Sequence, residues 1–183
     1  MRVISGKYKG RELVSFKADH IRPTTDRVKE SIFNKLQSHI AGARVLDLFS
    51  GTGSLAIEAI SRDAESVTAV EMNKKSIEII KKNLQLLKIT EIEVLNQDVF
   101  KFLKKYTGEP FDLIFCDPPF TEKLAHSMFT ELAASKVYKP ETIIVAESGG
   151  KEQLLDEYLP LVRFDKRDYG DNSSFSRSAE SIE

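Results

Sequence analysis

From residue 44 onward the chain alternates short apolar runs with longer stretches in which apolar positions recur at helical spacing. The short runs are "RVLDLF" (44–49), "SVTAVE" (66–71), "IEVLN" (92–96), "FDLIFC" (111–116) and "TIIVAE" (142–147). Between them stand "SLAIEAISR", "KKSIEIIKKNLQLLK", "VFKFLKKY" and "KLAHSMFTELAAS". In the second of these, Ile77, Ile80, Leu84 and Leu87 mark one face and lysines cover the other. Strands that alternate with crossover helices build a parallel sheet with helices on both sides, so the pattern predicts a doubly wound α/β core.

Ahead of that core, "RVISGKYKGRELVSF" reads as two short strands joined by a loop containing Lys7 to Gly10. In "RPTTDRVKESIFNKL", Pro23 ends the extended segment, Thr24 or Thr25 can cap a helix, and Val28, Ile32, Leu36 and Ile40 form an apolar stripe expected to pack on the sheet. The division expected is a hairpin-and-helix extension over residues 1–41 and a core over 42–183. After Gly170 the tail "DNSSFSRSAESIE" is Ser-rich and weak in strand pattern, which predicts a frayed last strand.

Composition narrows the class. The chain has 183 residues, 41% hydrophobic and 30% charged, enough to bury one good core. Its single cysteine, Cys116, lies inside an apolar run, so neither a disulfide framework nor metal-ligand spacing is present, and no metal is expected. No apolar run approaches the roughly 18 residues of a membrane span, and "MRVISGKYKG" lacks the apolar stretch of a signal peptide. A cytoplasmic protein is expected. The net charge of −1 conceals an asymmetry: residues 1–30 carry +4 and the remainder −5. A basic arm on an acidic body points to a polyanionic partner.

The first strand runs into "SGTGSLA", where Gly51, Gly53 and Ala56 fit the G-x-G-x-x-G/A pattern of a turn that lets backbone approach a nucleotide. Glu71 follows Gly51 by 20 residues at the end of the second strand, where a carboxylate can accept from ribose hydroxyls. Asp47 separates two classes of ligand. A carboxylate four residues before Gly51 would repel a pyrophosphate and favour an ammonium or sulfonium. Asp98 closes the third strand, placed to accept from an adenine amine. Asp117 ends the fourth, in "DLIFCDPPF" (112–120), where two prolines stop the strand and stiffen the chain.

In this order and spacing, "VLDLFSGTG", "VTAVEMN", "NQDVF" and "DPPF" resemble the motifs of class I S-adenosylmethionine-dependent methyltransferases that modify exocyclic amines, enzymes with a Rossmann-like sheet. The segments "GKYKGRELV", "RPTTDRVKESIFNKL" and "RDYGD" resemble a narrower family, the bacterial 16S rRNA guanine-N2 methyltransferases of the RsmD type. The likeness extends to Asp171. It implies a cofactor site formed by Asp47, Gly51, Gly53, Glu71, Met72, Asp98 and Val99 and closed by Arg22, Thr24 and Thr25. It also implies a catalytic loop of Asp117, Pro118, Pro119 and Phe120.

In that loop Asp117 and the Pro118 carbonyl would hold the amine hydrogens and stabilise the developing positive charge, while Phe120 stacks on an extruded base. Arg2, Lys7, Lys9, Arg11 and Tyr169 are expected to face RNA. The implied substrate is 16S rRNA, within a partly assembled small subunit or free, and the enzyme is expected to act as a monomer. Two positions depart from the family pattern: Asp63 stands where Gly is usual, and the tail lacks the usual aliphatic and aromatic closing strand. Two other activities share these features, an amino methyltransferase of the same core acting on DNA adenine or protein glutamine, and a module that only binds S-adenosylmethionine.

Overall fold

The computed structural model describes residues 1–15, 26–119, 124–148, 154–168 and 172–178. Eight strands form one sheet in the order β3-β2-β1-β4-β5-β8-β7-β6. They are β1 (Arg44–Leu48), β2 (Ser66–Glu71), β3 (Ile92–Asn96), β4 (Phe111–Cys116), β5 (Tyr138–Ser148), β6 (Glu157–Tyr158), β7 (Leu161–Asp168) and β8 (Asn172–Ser178). The first five pair in parallel, β8 runs antiparallel to β5 and to β7, and β6 pairs antiparallel with β7. The helices are α1 (Asp26–Lys35), α2 (Ser54–Ser61), α3 (Lys74–Leu87), α4 (Val99–Lys105) and α5 (Leu124–Ala133).

Central strands buried on both faces carry apolar side chains at nearly every position, and the two-residue period sends alternate ones to opposite sides. Val45, Val67, Ala69, Leu113, Phe115, Ile143 and Val145 enter one core with α1, α2 and α3, whereas Leu46, Leu48, Val70, Ile114, Cys116 and Ile144 enter a second with α4 and α5. By the same period Asp47, Glu71 and Asp117 belong to the α2–α3 side. The expected stripe on α3 is buried, and Asn73 caps that helix by accepting from the Lys75 and Ser76 amides at 2.9 and 3.3 Å.

The expected N-terminal hairpin is present, with Arg2 bridged to Glu12 and main-chain bonds from Val3 to Arg11 and from Leu13 to Met1. It shares its core with α1 and the sheet: Val3, Leu13, Ile32, Phe33, Leu36 and Ile40 lie in one buried cluster with Val45 and Ile57. The α1 stripe packs as anticipated, and Phe33 adds a ring 5.4 Å from that of Phe115.

The carboxyl-terminal third departs from expectation. β6 and β7 have no counterpart in the apolar pattern: β6 is only two residues long, and in β7 a register shift between Arg163 and Asp165 breaks the two-residue alternation. The Ser-rich tail enters the sheet as β8 between β5 and β7, held by main-chain pairing on both sides rather than standing at an edge. Asp63 adopts φ 67°, the left-handed conformation that suits the Gly usual there and that Asp tolerates. Among the described residues no helix is long and apolar enough to cross a membrane.

Candidate active site

Strand order reverses between β1 and β4, and at such a switch point the carboxyl ends of the strands open a crevice that takes ligands in α/β sheets. Around it, in spatial order, the chain places Asp98 after β3, Glu71 on β2, Asp47 on β1 and Asp117 after β4. Leu48 pairs with Cys116, and the Asp117 amide donates to the Leu48 carbonyl at 3.4 Å, so the glycine turn and the Asp-Pro-Pro loop leave adjacent strands side by side.

Asp47 is fully buried, accepts from Ser50 Oγ at 2.6 Å and is also bonded by the Ala56 amide. Burial pushes its carboxyl up to about 7, and nearby Glu71 adds to the rise. Among the described residues the donors to Asp47 are neutral, and a carboxylate held out of water in this way favours a cationic ligand. An ammonium fits that position and a pyrophosphate does not. Burial above all, with the charges of Asp47 and Asp117, raises the Cys116 thiol well above its ordinary value.

The turn itself depends on its glycines. Gly51 and Gly53 take φ of 57° and 77°. A Cβ on Gly53 would press within 3.1 Å of Ile80, whereas one on Gly51 would meet nothing nearer than the Phe49 carbonyl at 3.9 Å. Gly53 therefore serves packing against α3, and Gly51 leaves open space that a ligand can approach. Phe49, between β1 and the turn, also has φ 60°, a conformation a bulky residue adopts only under constraint. Its ring meets that of Phe100 edge-on with centroids 6.4 Å apart. Nothing in the sequence marked Phe49, because the strain belongs to the path of the chain around the turn.

Glu71 Oε2 accepts from the Gly51 amide at 2.8 Å, and Oε1 from the amides of Met72 and Asn73 at 2.8 and 2.7 Å. A carboxylate offers about four lone-pair sites, so one remains on Oε2 rather than room for both ribose hydroxyls without rearrangement. Met72 beside it is 65% exposed, an apolar surface at the mouth of the crevice. Asp98 is half-buried and caps α4 by accepting from the Lys101 amide at 2.9 Å, and Val99 behind it is buried. Asn96 donates to the Glu71 and Met72 carbonyls at 3.3 and 3.1 Å, tying the ends of β2 and β3 together.

Asp117 is half-buried, Pro118 buried and Pro119 exposed. Arg22, Thr24, Thr25, Phe120 and Tyr169 lie outside the described residues. Arg2, Lys7, Lys9 and Arg11 are all exposed on the hairpin. Two of them are engaged within the chain: Arg2 pairs with Asp26 at 3.1 Å and Lys7 with Glu91 at 3.3 Å. Between hairpin and α1 a cleft of about 380 Å³ gathers Arg2, Lys9 and Arg27 with Asp26 and Glu30. Arg27 was not anticipated as an RNA contact, since its place beside Lys9 depends on how α1 docks.

A family model described as Conserved hypothetical protein 95 matches residues 1–176. The chain is 40% identical over 158 residues to ribosomal RNA small subunit methyltransferase D of Haemophilus influenzae, covering 85% of this chain and 82% of that one. It is 37% identical over 148 residues to the protein of the same name from Escherichia coli K12, covering 81% and 74%. The solved structure of yhhF from Escherichia coli superposes with a TM-score of 0.86 at 33% identity, over 98% of both chains. With its model matched almost end to end and relatives at this identity over most of their length, the chain belongs to the Conserved hypothetical protein 95 family.

Proposed function

We propose that this chain transfers a methyl group from S-adenosylmethionine to the exocyclic N2 amine of a guanine in small-subunit ribosomal RNA. The observation that carries the reading is the row of acids across the switch point, with a buried Asp47 on β1 whose donors among the described residues are neutral, and Asp117 at the head of a stiffened loop on the adjacent β4. The relatives' names supply the ribosomal RNA, and the resemblance of the motifs supplies guanine and its N2 position.

The cofactor brings a methyl group on a positively charged sulfur. Asp47 receives the ammonium of its amino-acid end, Gly51 leaves room for that end, Glu71 takes a ribose hydroxyl, and Asp98 with Val99 and Met72 bounds the adenine. Phe49 and Phe100 add an aromatic wall. Arg22, Thr24 and Thr25 close the site from the N-terminal segment. Asp117 and the Pro118 carbonyl hold the amine hydrogens, so the nitrogen lone pair is less delocalised and the positive charge that develops is stabilised by acceptors already in place. Pro119 fixes the direction of that carbonyl, and Phe120 stacks on the base.

The extension over residues 1–41 faces the RNA with Arg2, Lys7, Lys9, Arg11 and Arg27, and Tyr169 adds an aromatic contact. The enzyme acts as a cytoplasmic monomer without a metal, on free 16S rRNA or a partly assembled small subunit. Mass spectrometry of 16S rRNA nucleosides from cells with and without the gene tests the reading directly. Loss of one N2-methylguanosine is expected, and an unchanged profile would overturn it.

A further inference from the structure

Behind the glycine turn lies a buried cluster of charge that none of these roles employs. The side chains of Lys29 on α1 and Glu58 on α2 are fully buried, a condition charged groups sustain only with partners. The Lys29 ammonium donates to the Arg2 carbonyl at 2.6 Å and to Ser54 Oγ at 3.1 Å, and stands 3.4 Å from Glu58 Oε2. Those contacts use all three of its donors. Glu58 also accepts from the amides of Ile4 and Ser5 at 2.8 and 3.0 Å and from Arg62 Nε at 2.9 Å. One ion cluster thus joins the hairpin, α1 and α2.

Its position relates it to the crevice. Ser54 is the first residue of α2 and follows Gly53 directly. Two residues further on, the Ala56 amide reaches Asp47. A second tie runs from the hairpin to the turn, Thr52 Oγ1 standing 3.7 Å from Met1 Sδ.

We propose that Lys29 is a positioning residue for the glycine turn: through Ser54 and Glu58 it locks the first turn of α2 to the hairpin and α1, so that Gly51, Gly53 and Asp47 meet the cofactor already in place. The inference rests on the turn being the S-adenosylmethionine site. A cluster that served stability alone would lower the melting temperature when broken and leave ligand affinity unchanged.

Titration calorimetry with S-adenosylhomocysteine separates the two. Lys29→Met is expected to weaken binding about 10-fold or more, the size of a lost charge-assisted hydrogen bond. Ser61→Ala is the matched control. It removes a hydroxyl that accepts from the Tyr8 amide and donates to the Ser5 carbonyl at the other end of α2, and it should lower the melting temperature while keeping affinity. Lys29→Met leaves Glu58 partly unpaired in the interior and can fail to fold. Ser54→Ala, which deletes only the acceptor of Lys29, then carries the test, with faster amide exchange at Leu55 and Ala56 expected in the ligand-free protein as well as weaker binding. A folded Lys29→Met or Ser54→Ala protein that binds like wild type overturns the positioning role, as does an equal loss in Ser61→Ala. Failure of the wild type itself to bind overturns the cofactor reading beneath it.

Discussion

At the scale of single residues, Asp47 carries the sharpest consequence. Its carboxyl is pushed to about 7 by burial, against 3.8 in the unfolded chain. The folded state therefore holds a proton that the unfolded state has lost between these values, and stability contributed by this group falls as pH rises from about 4 to about 7. The span corresponds to an order of 4 kcal/mol. Urea melts of the ligand-free protein at a series of pH values should show that decline, and Asp47→Asn should flatten it while binding S-adenosylhomocysteine poorly. A parallel decline in the Asn variant would assign the effect to other groups. Asp117 predicts a different signature. Its acceptor is needed mainly as charge develops on the amine, so Asp117→Ala should reduce kcat by about 10²–10³ with cofactor affinity nearly unchanged. Single-turnover assays on the RNA substrate would expose a normal rate and so refute the role. Both acids were legible in the sequence because each stands at a fixed spacing from a turn signal, Asp47 within an apolar run four residues before Gly51 and Asp117 at the end of one before two prolines. Lys29 and Glu58 were not, since a lysine and a glutamate in amphipathic helices look like solvated residues until packing buries them together.

The elements themselves follow from pattern wherever one period persists. The five parallel strands and the helices α2 to α5 could be read because two-residue and helical periods alternate without interruption between residues 44 and 147. β7 escaped because its register shift mixes the two faces, whereas β8 was expected as a last strand but a frayed one, because main-chain pairing on both sides leaves little for its sequence to signal. The hairpin was legible as two strands and a loop, but its docking was not. Gly6, with φ 79°, lies so close to α2 that a Cβ there would fall 1.6 Å from the Ser61 carbonyl oxygen, and the Lys7 amide donates to that same oxygen at 2.8 Å. Gly10 shares the conformation yet has nothing within 4 Å of such a Cβ. Gly10→Ala should then cost about 1–2 kcal/mol, the strain of a left-handed alanine. Gly6→Ala adds overpacking against main chain and should cost about 1–3 kcal/mol more. Denaturant midpoints at constant m would measure the difference, and equal losses would mean that the loop is not clamped to α2.

For the whole molecule the question is how an acidic body engages a polyanion. Beyond residue 30 the chain carries −5, whereas the first 30 residues carry +4, which makes that segment the first place to seek electrostatic attraction. Within that segment the four hairpin cations anticipated from the sequence are not equivalent. Arg2 and Lys7 face Asp26 and Glu91, each of which already neutralises part of their charge. Lys9 and Arg27 line one cleft between hairpin and α1, where the docking of Gly6 and the ion cluster around Lys29 hold them at a fixed place relative to the crevice. If each of these two neutralises one phosphate, replacing both by Ala should make the slope of log affinity against log salt shallower by about 1.4–1.8, with methyl transfer at saturating RNA nearly intact. Lys7→Ala alone should change that slope much less, because its Glu91 partner would be released to oppose the RNA. Filter binding on one RNA across a range of salt concentrations measures both. An unchanged slope in the Lys9 and Arg27 double variant would leave the hairpin as a clamp on α2 and place RNA recognition elsewhere on the molecule.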